Sequence, residues 1–134
     1  MRINFVYGDS TEPDLLVDVV MLSDALVDID EDILASDVGN FADEEADMNI
    51  YLSAEEFDPE TTTETAVIVT DSFLFDSKGE SILDLADRIA CTSDELQEAV
   101  YMVSGRLTPV IDLGEDFDFD SWSEFVKEEV VSHG

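Results

Sequence analysis

The stretch Pro13–Asp47 reads PDLLVDVVMLSDALVDIDEDILASDVGNFADEEAD and holds the most regular pattern in the chain. Its apolar residues recur at steps of four, three, four, three and four: Leu15, Val19, Leu22, Leu26, Ile29 and Ile33. This is the spacing of one helix face, and a proline is well tolerated at the start of a helix. The pattern predicts a helix from about Pro13 to about Ser36, with Gly39-Asn40 as its stop signal. A break near Asp28–Asp32, where four of the five residues are acids, stays open.

The back of this predicted helix carries acids that repel one another. Two runs of aspartate lie at steps of four residues: Asp14 and Asp18, then Asp24, Asp28 and Asp32. Like charges at this spacing cost roughly 0.2–0.5 kcal/mol per pair on a helix. No Lys or Arg occurs between Arg2 and Lys78 to relieve them. We infer that the acidic row serves something other than stability.

The whole chain is strongly acidic, because 35 Asp and Glu against 5 Lys and Arg give its 134 residues a formal charge of −30. Affinity for phosphate backbones and for anionic lipid comes from Lys and Arg, so the charge argues against direct binding to nucleic acid or membranes. Disorder is not expected, since 45% of the residues are hydrophobic. A salt-adapted surface, a basic or cationic partner, or imitation of a polyanion would each explain the charge.

The cysteine count and the hydropathy of the chain are used to predict its cellular compartment. Cys91 is the single cysteine, so the sequence holds no internal disulfide and no cysteine-based zinc cluster, and a free thiol fits a reducing cytoplasm. Met1–Tyr7 lacks the pattern of a signal peptide, and no apolar window is long enough to span a membrane. We expect a cytoplasmic protein of a host cell.

The remaining patterns predict one α+β domain over residues 1–134. Strands are expected at Arg2–Tyr7, Asn49–Ser53, Glu64–Phe75 and Leu107–Leu113. Further helices are expected at Glu80–Ala90, from a Thr92 or Ser93 cap to Gly105, and from Trp122 to about Val131. We predict about four strands in a mostly antiparallel sheet with three to four helices. Apolar residues on both faces indicate that Glu64–Phe75 is a central strand.

Residues 80–105 resemble a helix-turn-helix. The resemblance rests on the Leu85-Ala86 pair, the small Ala90 at the turn, the Thr92 cap, and Leu96 and Val100 at packing positions. In the DNA-binding motif the second helix carries polar or basic readers into the major groove. Here that helix begins with Asp94 and Glu95, which would repel phosphates. The resemblance therefore implies the helical hairpin but not the DNA-binding role.

A dedicated calcium site is not predicted. Asp116, Asp118 and Asp120 fall at the first three ligand positions of an EF-hand-like loop. Ser121 replaces the required glycine and Lys127 the bidentate glutamate. The sequence therefore predicts no metal ligands.

No catalytic residues or cofactor are predicted either. With 35 acids, carboxylate pairs arise by chance throughout the chain. His133, the single histidine, lies next to the C-terminus, and Cys91 has no histidine near it in sequence. There is no glycine-rich phosphate loop. We expect a protein without enzyme activity.

The composition resembles that of acidic DNA-mimic inhibitors made by phages and mobile elements. These are small, strongly negative, enzymatically inert proteins that block restriction enzymes, CRISPR effectors, repair glycosylases or nucleoid proteins. The resemblance implies a basic nucleic-acid-binding protein as partner. The predicted contact residues are Asp14, Asp18, Asp24, Asp28, Glu31, Asp32, Asp43, Glu44, Glu45 and Asp47, with Asp116, Asp118 and Asp120 as a second patch. Four helical residues rise about 6 Å, close to two phosphate steps of roughly 3.4 Å along one DNA strand.

Two alternatives stay open at this point. The chain could be a salt-adapted domain of a halophile with no inhibitory role, in which case it should unfold in dilute buffer. It could also be a chaperone or antitoxin-like partner of one basic protein, in which case DNA would not compete for binding. The sequence also leaves a homodimer open.

Overall fold

The computed structural model describes residues 1–9, 11–41, 45–53, 57, 64–70, 82–83, 85–104, 110–114 and 116–131. Within them, six strands form one sheet: β1 (Arg2–Val6), β2 (Ala35–Gly39), β3 (Met48–Tyr51), β4 (Glu64–Val69), β5 (Arg88–Cys91) and β6 (Val110–Asp112). Three helices accompany them: α1 (Pro13–Ile29), α2 (Asp94–Ser104) and α3 (Phe119–Phe125). A π-helical segment, Val126–Val131, continues α3.

The sheet is parallel throughout, with the strand order β2-β1-β3-β4-β5-β6. From β1 the chain passes through α1 to the edge strand β2, and it then returns across β1 to β3. The strand order therefore reverses between β1 and β3. In open parallel sheets of this kind, ligands bind outside the carboxyl ends of the strands, at such a reversal.

Two hydrophobic clusters cover the two faces of the sheet. On one face, Val19 and Leu22 of α1 and Trp122 of α3 pack against inward residues of the strands, including Phe5 and Ile68. On the other face, a second cluster joins Leu96 and Val100 of α2 to the alternate strand residues, such as Val6, Val67 and Ile89. Successive residues of β1 and β4 therefore lie on opposite faces of the sheet.

The predicted mostly antiparallel α+β sheet of about four strands is wrong, because the described strands form a six-stranded, all-parallel sheet of an α/β protein. Parallel strands are buried on both faces and so read as continuous apolar runs. β4 shows that signal, with Ala66, Val67, Ile68 and Val69 all fully buried. Because the other strands are short, the same signal is weak in them.

The predicted helix does not reach Ser36 and ends instead at the break left open near Asp28–Asp32. α1 ends at Ile29, and Ser36 lies in β2 beside Ile3 of β1. Asp30 already has an extended backbone, with φ −130° and ψ 122°. The negative end of the helix dipole disfavours the acids that follow Ile29. Ile33 is nevertheless buried, so the apolar spacing continues beyond the end of α1.

The predicted helical hairpin at 80–105 is also wrong. Ile82, Leu83 and Leu85 are helical, as predicted for Glu80–Ala90, but Arg88–Cys91 forms β5, which pairs with β4 from Ala66 to Val69. A buried strand of four residues is too short to show a period of two. The second half of the motif is confirmed, since α2 starts at Asp94 and the Leu96 N–H donates to the Ser93 hydroxyl at 3.2 Å.

The other predicted elements agree with the structure where it describes them. β3 overlaps the predicted strand Asn49–Ser53 and begins one residue earlier, at Met48, and β6 lies inside Leu107–Leu113. Residues 71–75 and 107–109 of the predicted strands lie outside the described residues. The last helix starts earlier than predicted, at Phe119, because Asp118 caps it. Among the described residues, no helix has the length and apolar character needed to cross a membrane.

Candidate functional site

The carboxyl ends of the parallel strands meet at one edge of the sheet, and a crevice of about 220 Å³ opens there. We call it the carboxyl-edge crevice. Its described lining comes from the segment before and within α1, from the residues that follow β4 and β5, and from the chain between β6 and α3. These lining residues are Glu12, Asp14, Leu15, Asp18, Thr70, Thr92, Gly114, Asp116, Phe117 and Trp122.

A tight turn after β1 brings the start of α1 to this edge. The Gly8 N–H donates to the Thr11 hydroxyl at 3.1 Å, and the Thr11 N–H donates to the Gly8 carbonyl at 3.1 Å. Pro13 then begins α1, with Glu12 at the N-cap position in an extended conformation. The Glu12 side chain makes no capping hydrogen bond, so its carboxylate is not committed to the helix.

The opposite wall depends on a second turn, after β6. Gly114 has φ +92°, a conformation that favours glycine, and its N–H donates to Asp112 Oδ1 at 2.9 Å. Asp118 then caps α3 by accepting the Asp120 N–H at 3.1 Å and the Ser121 hydroxyl at 2.9 Å. This turn and cap fix the path of the chain that carries Asp116.

An aromatic pair forms part of the crevice wall. The ring centroids of Phe117 and Trp122 lie 5.0 Å apart with an interplanar angle of 52°. Trp122 is only 1% exposed. Its indole Nε1 is buried and has no hydrogen-bond partner in the part of the chain that the structure describes. Such an orphan donor costs about 1–3 kcal/mol and calls for an explanation.

The charged side chains in the described lining of the crevice are all negative. Its described lining includes four carboxylates, those of Glu12, Asp14, Asp18 and Asp116, and no Lys, Arg or His. In the described ranges, no three or more His, Cys, Asp and Glu side chains are grouped so that they could hold a metal ion. The charges of this described lining therefore favour a positively charged group.

Cys91 ends β5 close to this edge, but it is a poor nucleophile. Its side chain is fully buried, and its thiol donates to the Ser93 carbonyl oxygen at 3.2 Å. Burial, together with the nearby Asp112 and Asp94 carboxylates, raises the pKa of the thiol to about 11. Because the thiolate is the reactive form, Cys91 is inert near neutral pH.

The pKa of the Asp112 carboxyl group is lowered at the same edge. A hydrogen bond from the Asp94 carboxyl group lowers the pKa of Asp112, and the Gly114 N–H lowers it further. Asp112 lies beside Cys91 in the register of β5 and β6. The pair of carboxyl groups therefore adds negative charge next to the crevice.

The structure brings some of the predicted contact residues together. Asp14, Asp18 and Asp116 all line the carboxyl-edge crevice, although they were predicted as parts of two separate patches. Asp118 and Asp120 follow directly at the start of α3 and are exposed. Asp118 has a structural task as the helix cap.

Other predicted residues lie elsewhere. Asp24 and Asp28 are exposed on the later turns of α1. Four more lie at the amino edge of the sheet, before β2 or β3: Glu31, Asp32, Glu45 and Asp47. Asp43 and Glu44 lie outside the described residues. The predicted contact row is therefore divided between opposite edges of the sheet.

At the amino edge, Arg2 and the N-terminus contact this acidic stretch, and one of the contacts, between Arg2 and Glu45, is an ion pair. The Arg2 guanidinium lies 3.8 Å from the Glu45 carboxylate, and the Arg2 backbone N–H donates to Asp47 Oδ2 at 2.7 Å. The N-terminal ammonium of Met1 donates to the Asp32 carbonyl at 2.5 Å. The Arg2 side chain therefore brings one positive charge to this stretch, which has no Lys or Arg of its own.

Several lining residues of the crevice carry no signal in the sequence. Thr70, Thr92 and Gly114 each follow a strand by one or two residues. Their common location depends on the strands being parallel, because only then do these positions reach the same edge. A prediction of parallel strands would have placed these three residues at one edge of the sheet.

No protein-family model, curated protein or solved structure matches the chain.

Proposed function

We propose that the protein is a DNA-mimic inhibitor that acts in the cytoplasm of a host cell. It would bind the basic nucleic-acid cleft of a DNA-binding or defence protein, such as a restriction enzyme, CRISPR effector, repair enzyme or nucleoid protein. The observation that carries the proposal is the outward face of α1, where exposed carboxylates and exposed apolar side chains share one surface. We call this surface the α1 outer face and define it by Asp14, Val17, Met21, Asp24 and Asp28.

The charges of the α1 outer face are held on a rigid element. Val19, Leu22 and Leu26 on the opposite side of α1 are fully buried in the core. Asp14, Asp24 and Asp28 are exposed, and no ion pair joins them to a cation among the described residues. At about 1.5 Å per helical residue they lie at fixed intervals along the helix axis. A preorganised row of this kind can replace phosphates with little ordering cost.

The apolar residues of the same face favour a protein partner. Val17 is 59% exposed and Met21 is 64% exposed. Protein interfaces combine apolar contacts at the centre with polar groups at the rim, and Met adapts well to varied binding surfaces. The complementary partner would present Lys and Arg around an apolar patch, and charge would steer the encounter.

A lysate capture followed by DNA competition tests this proposal. The immobilised protein is exposed to a host lysate at low salt, and the captured proteins are then challenged with duplex DNA. We expect DNA-binding proteins to be captured and to be released by the duplex. Capture of one basic protein that DNA does not displace would instead support the chaperone or antitoxin-like role.

Charge-neutralising variants locate the contact. Asp24→Asn with Asp28→Asn should weaken capture about tenfold if each exposed contact contributes roughly 0.7 kcal/mol. The matched control is Glu95→Gln with Glu98→Gln on α2, which packs on the other face of the sheet and loses the same charge. Equal weakening by both pairs would reject the α1 outer face as the contact surface.

A second candidate is a salt-adapted domain without an inhibitory role. It is favoured by the distribution of the acids, because exposed Asp and Glu lie on α1, on α2 and at both edges of the sheet rather than on one face. A surface that is acidic on all sides is what solubility at high salt requires. The two candidates differ in whether folding itself needs molar KCl.

A further inference from the structure

The described sheet ends at β2, and we infer that this edge strand accepts an extended protein segment in which apolar residues alternate with Lys or Arg. The segment would join the sheet as a further strand, held by backbone hydrogen bonds. We call this surface the β2 edge and define it by Ala35–Gly39 with Val20 and Val27 of α1. It is distinct from the α1 outer face, and the inference does not depend on DNA mimicry.

The outer side of β2 offers backbone groups for pairing. Within the described sheet β2 pairs with β1 alone, so one of its two rows of N–H and C=O groups has no strand partner there. All five residues of β2 are half-buried or exposed, whereas all four residues of β3 are buried. The strand also holds no proline or lysine, the residues that commonly block pairing at a sheet edge. β2 is therefore open to strand addition.

One side of α1 extends over this edge and leaves apolar surface uncovered. The Ser23 hydroxyl lies 2.7 Å from the Ser36 hydroxyl of β2. Val20 and Val27 share that side of the helix with Ser23, because they are three and four residues away from it. They are nevertheless 40% and 41% exposed. An added strand would cover both valines with its own apolar side chains, on the face that is turned toward α1.

The other face of the β2 edge favours positive charge. Since Ser36 faces α1, its neighbour Asp37 faces the opposite side of the sheet, where it is exposed. The acids at 31–32, just before β2, are exposed as well. Arg2 of the adjacent strand already forms an ion pair with Glu45. Lys or Arg on this face of an added strand would form stabilising cross-strand pairs with the acids, which is why the segment should alternate.

A second copy of the chain is a poorer occupant of the β2 edge. Asp37 is the middle residue of Ala35–Gly39, so antiparallel pairing of two β2 strands about a two-fold axis at that residue would set Asp37 opposite its counterpart. Like charges directly opposite one another destabilise a strand pair. Each copy also carries a formal charge of −30. A basic segment is attracted by the same charges.

Synthetic peptides test the inference on the full chain, at a KCl concentration where circular dichroism shows that it is folded. The probe is a fluorescein-labelled acetyl-KVRVKVR-amide, followed by fluorescence anisotropy. A peptide of the same composition in blocks, acetyl-KRKRVVV-amide, keeps the charge without the alternation, and we expect it to bind at least about fivefold more weakly. Equal binding of the two peptides would show general attraction to an anionic protein and would overturn the inference.

Backbone pairing is tested by N-methylation of the alternating peptide. One version is methylated at every valine and another at every Lys and Arg, so each loses the N–H donors of one strand edge. Only one edge can face β2, so we expect one version to bind about tenfold more weakly than the other. Equal affinities would argue against strand addition. In hydrogen exchange, the unmethylated peptide should slow the amides of Ala35–Gly39, and protection confined to other segments would reject the site.

Matched variants locate the contact. Asp37→Asn should weaken the alternating peptide about threefold, whereas Asp24→Asn removes the same charge from the α1 outer face and should leave peptide binding unchanged. Val27→Thr should also weaken it about threefold, with Val17→Thr on the α1 outer face as its control. Equal effects within both pairs would reject the β2 edge without bearing on the α1 outer face. Self-association in sedimentation that saturating peptide does not reverse would assign the edge to a second copy and overturn the inference.

Discussion

At the scale of single residues, two glycines give a direct test of the turn that builds the crevice. Gly114 has φ +92°, and among the described residues a Cβ there would meet the Asp116 carbonyl oxygen at 3.9 Å. The cost of Gly114→Ala is therefore conformational rather than steric, and we expect it to lower the free energy of unfolding by about 1 kcal/mol. Gly39→Ala in β2 is the control, since nothing lies within 4 Å and φ is not positive. Urea denaturation should show a change below about 0.5 kcal/mol for this control.

Cys91 supports a second prediction at the same scale. Because its pKa rises from 9.0 to about 11 in the fold, the stability that it contributes is fully present below pH 9 and is lost as the pH rises toward 11. We expect the unfolding free energy of the native chain to fall more steeply over this window than that of Cys91→Ala. Ellman's reagent near pH 8 should react slowly with the folded chain and quickly in guanidinium. Rapid reaction in the folded state would contradict the buried position.

At the scale of elements, α1 separates a buried face from an exposed one. Leu22 is fully buried and Met21, its neighbour in sequence, is 64% exposed. We expect Leu22→Ala to cost about 2–5 kcal/mol, since it removes core contacts and leaves a cavity. Met21→Ala should change stability by less than about 0.5 kcal/mol while weakening partner capture. If the two substitutions destabilise the chain equally in chemical denaturation, α1 does not pack as described.

At the scale of the whole molecule, the charge of −30 makes folding depend on salt. Screening shortens the Debye length to about 8 Å at physiological ionic strength, which weakens the repulsion between distant carboxylates. For a DNA mimic, we expect a cooperative thermal transition at about 0.15 M KCl, with a midpoint that rises modestly toward molar KCl. A chain that is unfolded at about 0.15 M KCl and folds only at molar KCl would favour the salt-adapted domain. Circular dichroism during heating distinguishes these outcomes.

The sequence by itself determined two local features, the buried face of α1 and the start of α2. The three- and four-residue spacing of Val19, Leu22 and Leu26 specifies the buried face of α1, because a helix repeats every 3.6 residues. In the same way, Ser93 before Asp94 marks the start of α2, since a side-chain oxygen there can accept an orphan helix N–H. Each of these signals involves residues that are close together in the sequence, so it can be recognised without knowledge of the tertiary structure.

Only the tertiary structure decided which distant segments meet. The parallel direction of β1 and β3 depends on hydrogen bonds between residues far apart in the chain, which leave no periodic trace in the sequence. That direction places Asp18 of α1 in the same crevice as Asp116 and Trp122, whereas Glu45 and Asp47 meet Arg2 at the opposite edge. The acidic row of α1 was therefore visible in the sequence, but the crevice was not, because its walls are joined only by long-range strand pairing.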